Sequence, residues 1–380
     1  MTVSLSDLRF TRKQTRVFAP AVLLFCLLAA ACQGSSGGGE PGDFEEISGS
    51  GIVMMALLDA DSSPYAGYTV FYGYGGMMVG PIERVGDESV INSDSMILSP
   101  LVDGLPYVVA GGWEINGAGV FIDVNESDLI DDGDLMAGSG AAAINGNHVV
   151  TFEYPDNFST ISDSRTVSIM VSGLNTGFPG GALMYGASGI ESGMYERLGS
   201  MTVIDSDSIT MTIQAEGGDY PIIDQSVIHN IGAIVDVNGN DIPDDGDYRA
   251  GVSDQTIDGD RTFSFAYPDD FTQISGSGYI TLRIIGAADD HNGKTAYYGA
   301  SGIPSGMYER VGDMHVIDSN DFSLVIPNQD ADFLFTGGDT VSYVGLYIDV
   351  NENGYADDGD YIAAETGVFI NGDMTITFRY

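Results

Sequence analysis

Asp123-Val-Asn-Glu-Ser-Asp-Leu-Ile-Asp-Asp-Gly-Asp134 returns as Asp236-Val-Asn-Gly-Asn-Asp-Ile-Pro-Asp-Asp-Gly-Asp247 and again as Asp349-Val-Asn-Glu-Asn-Gly-Tyr-Ala-Asp-Asp-Gly-Asp360. The copies begin at 123, 236 and 349, a spacing of 113 residues held twice without slippage. This is a tandem repeat. The stretches that lead into the second and third copies, Gly232-Ala-Ile-Val235 and Val344-Gly-Leu-Tyr-Ile348, are short, apolar and rich in β-branched residues. Such runs read as buried strands and not as helix flanks. Each acidic stretch is therefore expected to be a loop joining two strands.

Within a copy the oxygen-bearing side chains fall at positions one, three, five, nine and twelve. They are Asp123, Asn125, Ser127, Asp131 and Asp134; Asp236, Asn238, Asn240, Asp244 and Asp247; and Asp349, Asn351, Asn353, Asp357 and Asp360. A hard divalent cation takes six to eight oxygens, and a backbone carbonyl at position seven, such as that of Tyr355, adds one. The spacing resembles that of EF-hand calcium loops over these twelve residues and no further. The resemblance implies up to three calcium ions. Three departures stand against it. Position twelve is Asp in place of Glu, one methylene shorter. Position six is Gly only at Gly354, with Asp128 and Asp241 in the other loops. The flanks are strands. The competing reading is an Asx-rich turn that binds nothing. Four carboxylates at positions one, nine, ten and twelve repel one another without a cation among them, which favours calcium.

Outward from the loops, nearly every residue from Pro41 onward belongs to the repeat. Each unit opens on a similar phrase: Pro41-Gly-Asp-Phe44-Glu-Glu-Ile47-Ser48, Pro155-Asp-Asn-Phe158-Ser-Thr-Ile161-Ser162, and Pro268-Asp-Asp-Phe271-Thr-Gln-Ile274-Ser275. Units cut there span 41–154, 155–267 and 268–380, each the size of one domain with its own core. The joints are short, with a Pro to stiffen them and a Phe to pack on a neighbour, so a semi-rigid rod is expected. The third unit offers about seven short strands, over 278–285, 297–298, 313–317, 322–326, 341–348, 361–364 and 374–380, split by Gly/Asp/Asn turns. The expected fold is all-β: three tandem antiparallel β-sandwich domains, resembling immunoglobulin-like or transthyretin-like units.

The first forty residues read as a targeting segment. Arg9, Arg12, Lys13 and Arg16 form a basic region, and Val17 to Ala31 is an apolar stretch too short for a membrane span. It ends in Leu28-Ala-Ala-Ala-Cys32, which resembles a bacterial lipobox. The resemblance implies a lipoprotein signal peptide over 1–31, with Cys32 lipidated as the first mature residue and anchored in the membrane. Gln33 after it resembles the sorting pattern that favours the outer membrane. Residues 32–40 are a Gly/Ser-rich tether. With Cys26 in the leader and Cys32 carrying lipid, no disulfide forms within the mature chain. Gly34-Ser-Ser-Gly-Gly38 matches the hydrolase pattern Gly-x-Ser-x-Gly by chance, because a linker cannot supply the strand-to-helix elbow.

A second recurring feature is Tyr72-Gly73, Tyr185-Gly186 and Tyr298-Gly299, followed by Glu83-Arg84, Glu196-Arg197 and Glu309-Arg310. These Tyr/Gly loops, with Tyr195 and Tyr308, read either as a surface for a glycan or protein ligand or as a fold requirement in which Arg pairs with a carboxylate of its own domain. The second is favoured, since Arg is scarce. The chain carries 13 Lys+Arg against 55 Asp+Glu, a net charge of −42, which excludes nucleic acid as a partner. His148, His229, His291 and His315 do not recur between units, and Trp113, the sole Trp, reads as a core residue. The sequence thus supports a non-enzymatic, calcium-stabilised surface lipoprotein acting as an adhesive or structural rod at the cell envelope. A glycan- or protein-binding module is the alternative, and a calcium-dependent secreted hydrolase a distant one.

Overall fold

The computed structural model describes residues 43–380 apart from 61–63, 76–83, 103, 128, 191–196, 216–217, 306–307, 309 and 329–330. The leader, Cys32 and the tether lie outside the described residues. So do Asp128, Glu83, Tyr195, Glu196 and Glu309.

Period-two alternation produces the strands. In Ile280–Ile285 the residues Ile280, Leu282 and Ile284 are buried while Thr281 and Arg283 face outward. The same pattern shapes Gly51–Leu58 and Val167–Ser172. Each of these strands is the centre of a small sheet, three-stranded in the second and third repeats and four-stranded in the first, flanked on one side by an antiparallel neighbour (Ser95–Leu98, Ser208–Thr212, Asp321–Val325). On the other side lies the last long strand of the same repeat (His148–Glu153, Arg261–Ala266, Met374–Arg379), and it runs parallel. All other pairings between named strands are antiparallel. The antiparallel expectation therefore holds except for one first-to-last pair per repeat. Sequence alternation cannot reveal that pair, because it reports which face is buried and not which way the neighbour runs.

A second sheet covers the first. In the middle repeat its order is Arg197–Val203, Ala182–Ile190, Val227–Asp236, Tyr248–Thr256, and the repeats before and after it match. Between the two sheets lie three separate apolar cores of like construction, centred on residues such as Val53, Leu57 and Val120; Ile169, Leu183 and Ile231; and Leu282, Val344 and Phe378. The recurrent Tyr-Gly phrase belongs to this construction. Tyr72 is buried in the first core, and Tyr185 and Tyr298 pack against the second and third. Gly186 lies opposite both Gly199 and Gly232, and a Cβ on Gly186 would sit 2.3 Å from the Leu198 carbonyl oxygen. Glycine is required there by close approach of neighbouring strands. A short helix, Ala288–His291, was not expected from the sequence.

The fifth strand of each second sheet comes from elsewhere. Ser159–Thr160 pairs with the edge strand Leu135–Gly138, and Thr272–Gln273 pairs with Tyr248–Thr256. These are the opening phrases of the second and third repeats, each laid on the edge of the repeat before. The opening strand of the first repeat, Glu45–Glu46, pairs with Tyr361–Phe369 of the third. The supporting bonds are the same at all three places. Ile161, Ile274 and Ile47 donate their N–H to the carbonyls of Asp134, Asp247 and Asp360 at 2.7, 2.8 and 2.7 Å. Gly133, Gly246 and Gly359 donate back to the same three isoleucines. Phe158 packs on Tyr154, Phe271 on Tyr267, and Phe44 on Tyr380, with ring centroids 5.8, 5.8 and 5.5 Å apart.

Three equivalent head-to-tail contacts that return to their starting point make a closed ring with pseudo-threefold symmetry. The expected rod is corrected. The opening Phe packs at each joint, but a heterologous joint yields a rod or a ring according to its rotation, and the sequence of one joint does not encode that angle.

Candidate calcium loops at the joints

Each acidic loop leaves a central strand at its first Asp and re-enters an edge strand just after its last. Both Asp residues are nearly inaccessible: Asp123, Asp236 and Asp349 are 1–3 % exposed, and Asp134, Asp247 and Asp360 at most 1 %. Buried carboxylates need donors, and backbone N–H groups supply them. Asp349 accepts from Asn353 and Gly354 (3.2 and 2.7 Å), and Asp236 accepts from Gly239, Asn240 and Asp241 (2.6, 3.3 and 2.8 Å). The twelfth residue ties the loop's two ends. Asp360 takes the N–H of Val350 on one oxygen (2.8 Å) and of Asp357 on the other (3.0 Å), and Asp134 and Asp247 do likewise. Its shorter reach, compared with Glu, suits this role.

Positions three and five converge on position nine. Asn351 and Asn353 donate to the two oxygens of Asp357 at 2.7 and 2.6 Å, and Asn238 and Asn240 to Asp244 at 2.8 and 2.7 Å. In the first loop Asn125 donates to Asp131, and the Ser127 hydroxyl does so at 3.2 Å. Side chains three, five and nine thus meet one another within each loop, while those at positions one and twelve bond to the loop's backbone. The turn is made by positive φ at position four (Glu126, Gly239, Glu352), at position six (Asp241, φ 61°; Gly354, φ 81°) and at position eleven (Gly133, Gly246, Gly359). Position four went unnoticed in the sequence because two of its three residues are Glu, rare in that region of backbone space.

Electrostatics favour a cation here. Burial pushes the Asp134 carboxyl up to about 6, with Asp123 and Asp131 adding to the rise and the N–H groups of Asp131 and Val124 opposing it. Asp247 and Asp360 are raised for the same reasons. The donor set, carboxylate with amide or hydroxyl oxygen, is the chemistry that calcium takes. Among the described residues no group of three or more Asp, Glu, His or Cys side chains is itself disposed to hold a metal. A calcium site here would need amide and backbone oxygens of the loop besides its carboxylates.

Position ten does something else. Asp132, Asp245 and Asp358 turn away from the loop and accept the N–H of Ser164, Ser277 and Ser50 in the next repeat around the ring, at 2.5, 2.7 and 2.6 Å. These carboxylates are part of the joint. The repulsion inferred from four crowded carboxylates therefore reduces to three. The recurring Ser three residues after the opening Ile was the available signal.

Arg197 also reaches across. Its guanidinium donates to the carbonyls of Ile303 and Pro304 in the third repeat, the latter at 3.3 Å. Tyr308 packs edge-on against Phe333 in its own repeat. Trp113 is half-buried at the joint between first and third repeats, 5.9 Å from the ring of Tyr343.

No family model matches this chain, and no curated protein does. Solved structures similar to it include an assigned adhesin of Bacteroides ovatus, at 7 % identity and TM-score 0.20, covering 59 % of this chain and 91 % of that one. A protein of the same organism assigned to cell adhesion gives 9 % identity and TM-score 0.19, covering 58 % and 95 %. A Streptococcal ancillary pilin gives 7 % and 0.18, covering 87 % and 99 %. At TM-scores this low no function follows from the likeness.

Proposed function

We propose that this chain is a non-enzymatic, cell-surface adhesive or structural protein built as a calcium-locked ring, with 41–154, 155–267 and 268–380 as its three units. One observation carries the reading: in all three places the acidic loop is also the clasp of a joint. Position ten bonds to the next unit's backbone, and positions eleven and twelve pair with its opening Ile. A cation at positions one, three, five, nine and twelve would stiffen the loop and so the joint. Calcium binding would act as folding energy for the ring, whose described residues include no cysteine.

The lipobox-like leader supports attachment through lipidated Cys32, with the outer membrane as the favoured location. A glycan or protein ligand remains the partner class. It would use surfaces other than the Tyr-Gly phrases, whose tyrosines serve the cores.

The test is calorimetric titration of calcium into the metal-stripped chain lacking residues 1–32, with melting followed in parallel. Two or three bound ions and a higher melting temperature, both diminished by Asp349→Ala or Asp360→Ala, are expected. Absence of binding at millimolar calcium would sink the metal part of the reading.

A further inference from the structure

Behind each opening Phe stands a group of rings at equivalent positions. In the second repeat it is Phe178 with Tyr248 and Tyr267, and in the first Tyr65 with Tyr154. In the third it is His291 with Tyr361 and Tyr380, ring centroids 5.0 and 4.7 Å away, and Tyr380 in turn carries Phe44 of the opening segment. Positions 65, 178 and 291 are related by the 113-residue repeat. Only one of the three residues is an imidazole. It stands at the only joint held without a covalent connection, since the chain itself links the first repeat to the second and the second to the third.

We propose that His291 is a pH-sensitive latch: protonation of its imidazole between Tyr361 and Tyr380 loosens the seat of Phe44, releases segment Asp43–Ile47 from the third repeat and opens the ring. His291 is 6 % exposed, and its Nε2 has no hydrogen-bond partner among the described residues. A neutral imidazole tolerates this with Nε2 as an unprotonated nitrogen. An imidazolium must donate from both nitrogens, and water can reach Nε2 only if the rings part.

The charged surroundings are mixed. On its own segment, Asp290 favours the cation and Lys294 disfavours it, while Asp289 is engaged by the side-chain amide of Asn320. The edge strand contributes Tyr361, the end of strand Met374–Arg379 contributes Tyr380, and the opening strand contributes Glu46, which bears on Tyr380. Burial is the largest influence and holds His291 below its ordinary value of 6.5. A depressed value in the closed ring means that the joint is fully stable above about pH 6.5 and loses stability as pH falls through the lowered value. The latch lies in the ring contacts of this joint and is independent of whether calcium fills the loops.

Trp113, the sole tryptophan, lies in this joint and reports on it. In the full chain at fixed excess calcium, lowering the pH from about 7.5 to about 5 should move Trp113 emission to the red. Amide exchange of Ile47 should also accelerate relative to Ile161 and Ile274, up to about tenfold per pH unit for a single coupled proton. His291→Phe, the residue that position 178 already carries in the same fold, should abolish both changes. So should the disulfide of Asp43→Cys with Arg379→Cys, formed across bridge partners that are both exposed. An unchanged response in either variant, or no response in the parent chain, would overturn the latch.

Discussion

Two joints of the ring share one backbone clasp and fill it with opposite chemistry. Between the second and third repeats the contact is polar. Arg249 and Asp339 form an ion pair at 2.7 Å, the Ser305 N–H and hydroxyl complete the carboxylate, and the Thr336 hydroxyl donates to the Pro243 carbonyl. Between the third and first repeats it is aromatic and apolar. Tyr297 and Tyr347 stack at 4.9 Å with a 13° tilt, and Ile47, Ala110, Ile362 and Trp113 close round them. The residues correspond position by position. Where one joint has Arg249 and Asp339, the closing joint has Ile362 and Trp113, and the remaining joint has Met136 and Ser226. The loop and opening strand fix how the repeats dock. The side chains between them are free to differ, provided that each joint satisfies itself.

That comparison can be broken most severely at the aromatic joint. Tyr347→Ala removes a side chain only 4 % exposed and unstacks Tyr297, so a loss of about 3–5 kcal/mol in unfolding free energy is expected. Next, Asp339→Ala strands Arg249 in the polar joint. About 3 kcal/mol is expected from denaturant titration, at the low end for a broken buried pair because Arg249 is 32 % exposed. Arg249→Met combined with Asp339→Ser, the pair used by the remaining joint, should recover most of that loss. If the double variant is no better than the single one, the joints are not interchangeable. A smaller effect, about 1–2 kcal/mol each, is expected for Asp132→Ala, Asp245→Ala and Asp358→Ala, which leave one backbone N–H unpaired at a joint.

The loops supply a pH signature of their own. A carboxyl raised by burial is more stable protonated, so Asp134 contributes stability below its ordinary value near 4 that is lost as pH rises through about 6. In the His291→Phe chain, where the histidine cannot oppose the effect, the metal-free protein should melt lower at pH 7 than at pH 5. A cation reverses the preference, so calcium should erase that difference, and its affinity should fall on acidification through about pH 6. Asp245 works oppositely: the Ser277 N–H and hydroxyl hold its carboxyl low, so its contribution is present at neutral pH and lost as pH falls below the ordinary carboxylate range.

Much of this was legible in the sequence, for reasons that differ by feature. Period-two alternation marked Ile280–Ile285 and its relatives as strands, because one face of each is buried. The exact spacing of Asp, Asn and Gly marked the loops, because a sharp turn restricts residue type at each position. Three things were hidden. The parallel first-to-last pairing leaves no trace in alternation. Asp132, Asp245 and Asp358 looked like surplus ligands because their acceptor role lies with a partner 32 residues away in sequence, or 308 at the closing joint. The ring was hidden because closure depends on an angle repeated three times. The one clue lay in Phe44 and Ile47: a first unit that begins with the same joint-making residues as the others has something to join to.

Small-angle scattering from the chain lacking residues 1–32, in excess calcium, tests the ring most directly. Some 340 residues in one compact body should give a radius of gyration of about 20 Å. A distinctly larger radius, with the scattering profile of an elongated particle, would mean that the three repeats stand in a line and that Glu45–Glu46 does not close on the third.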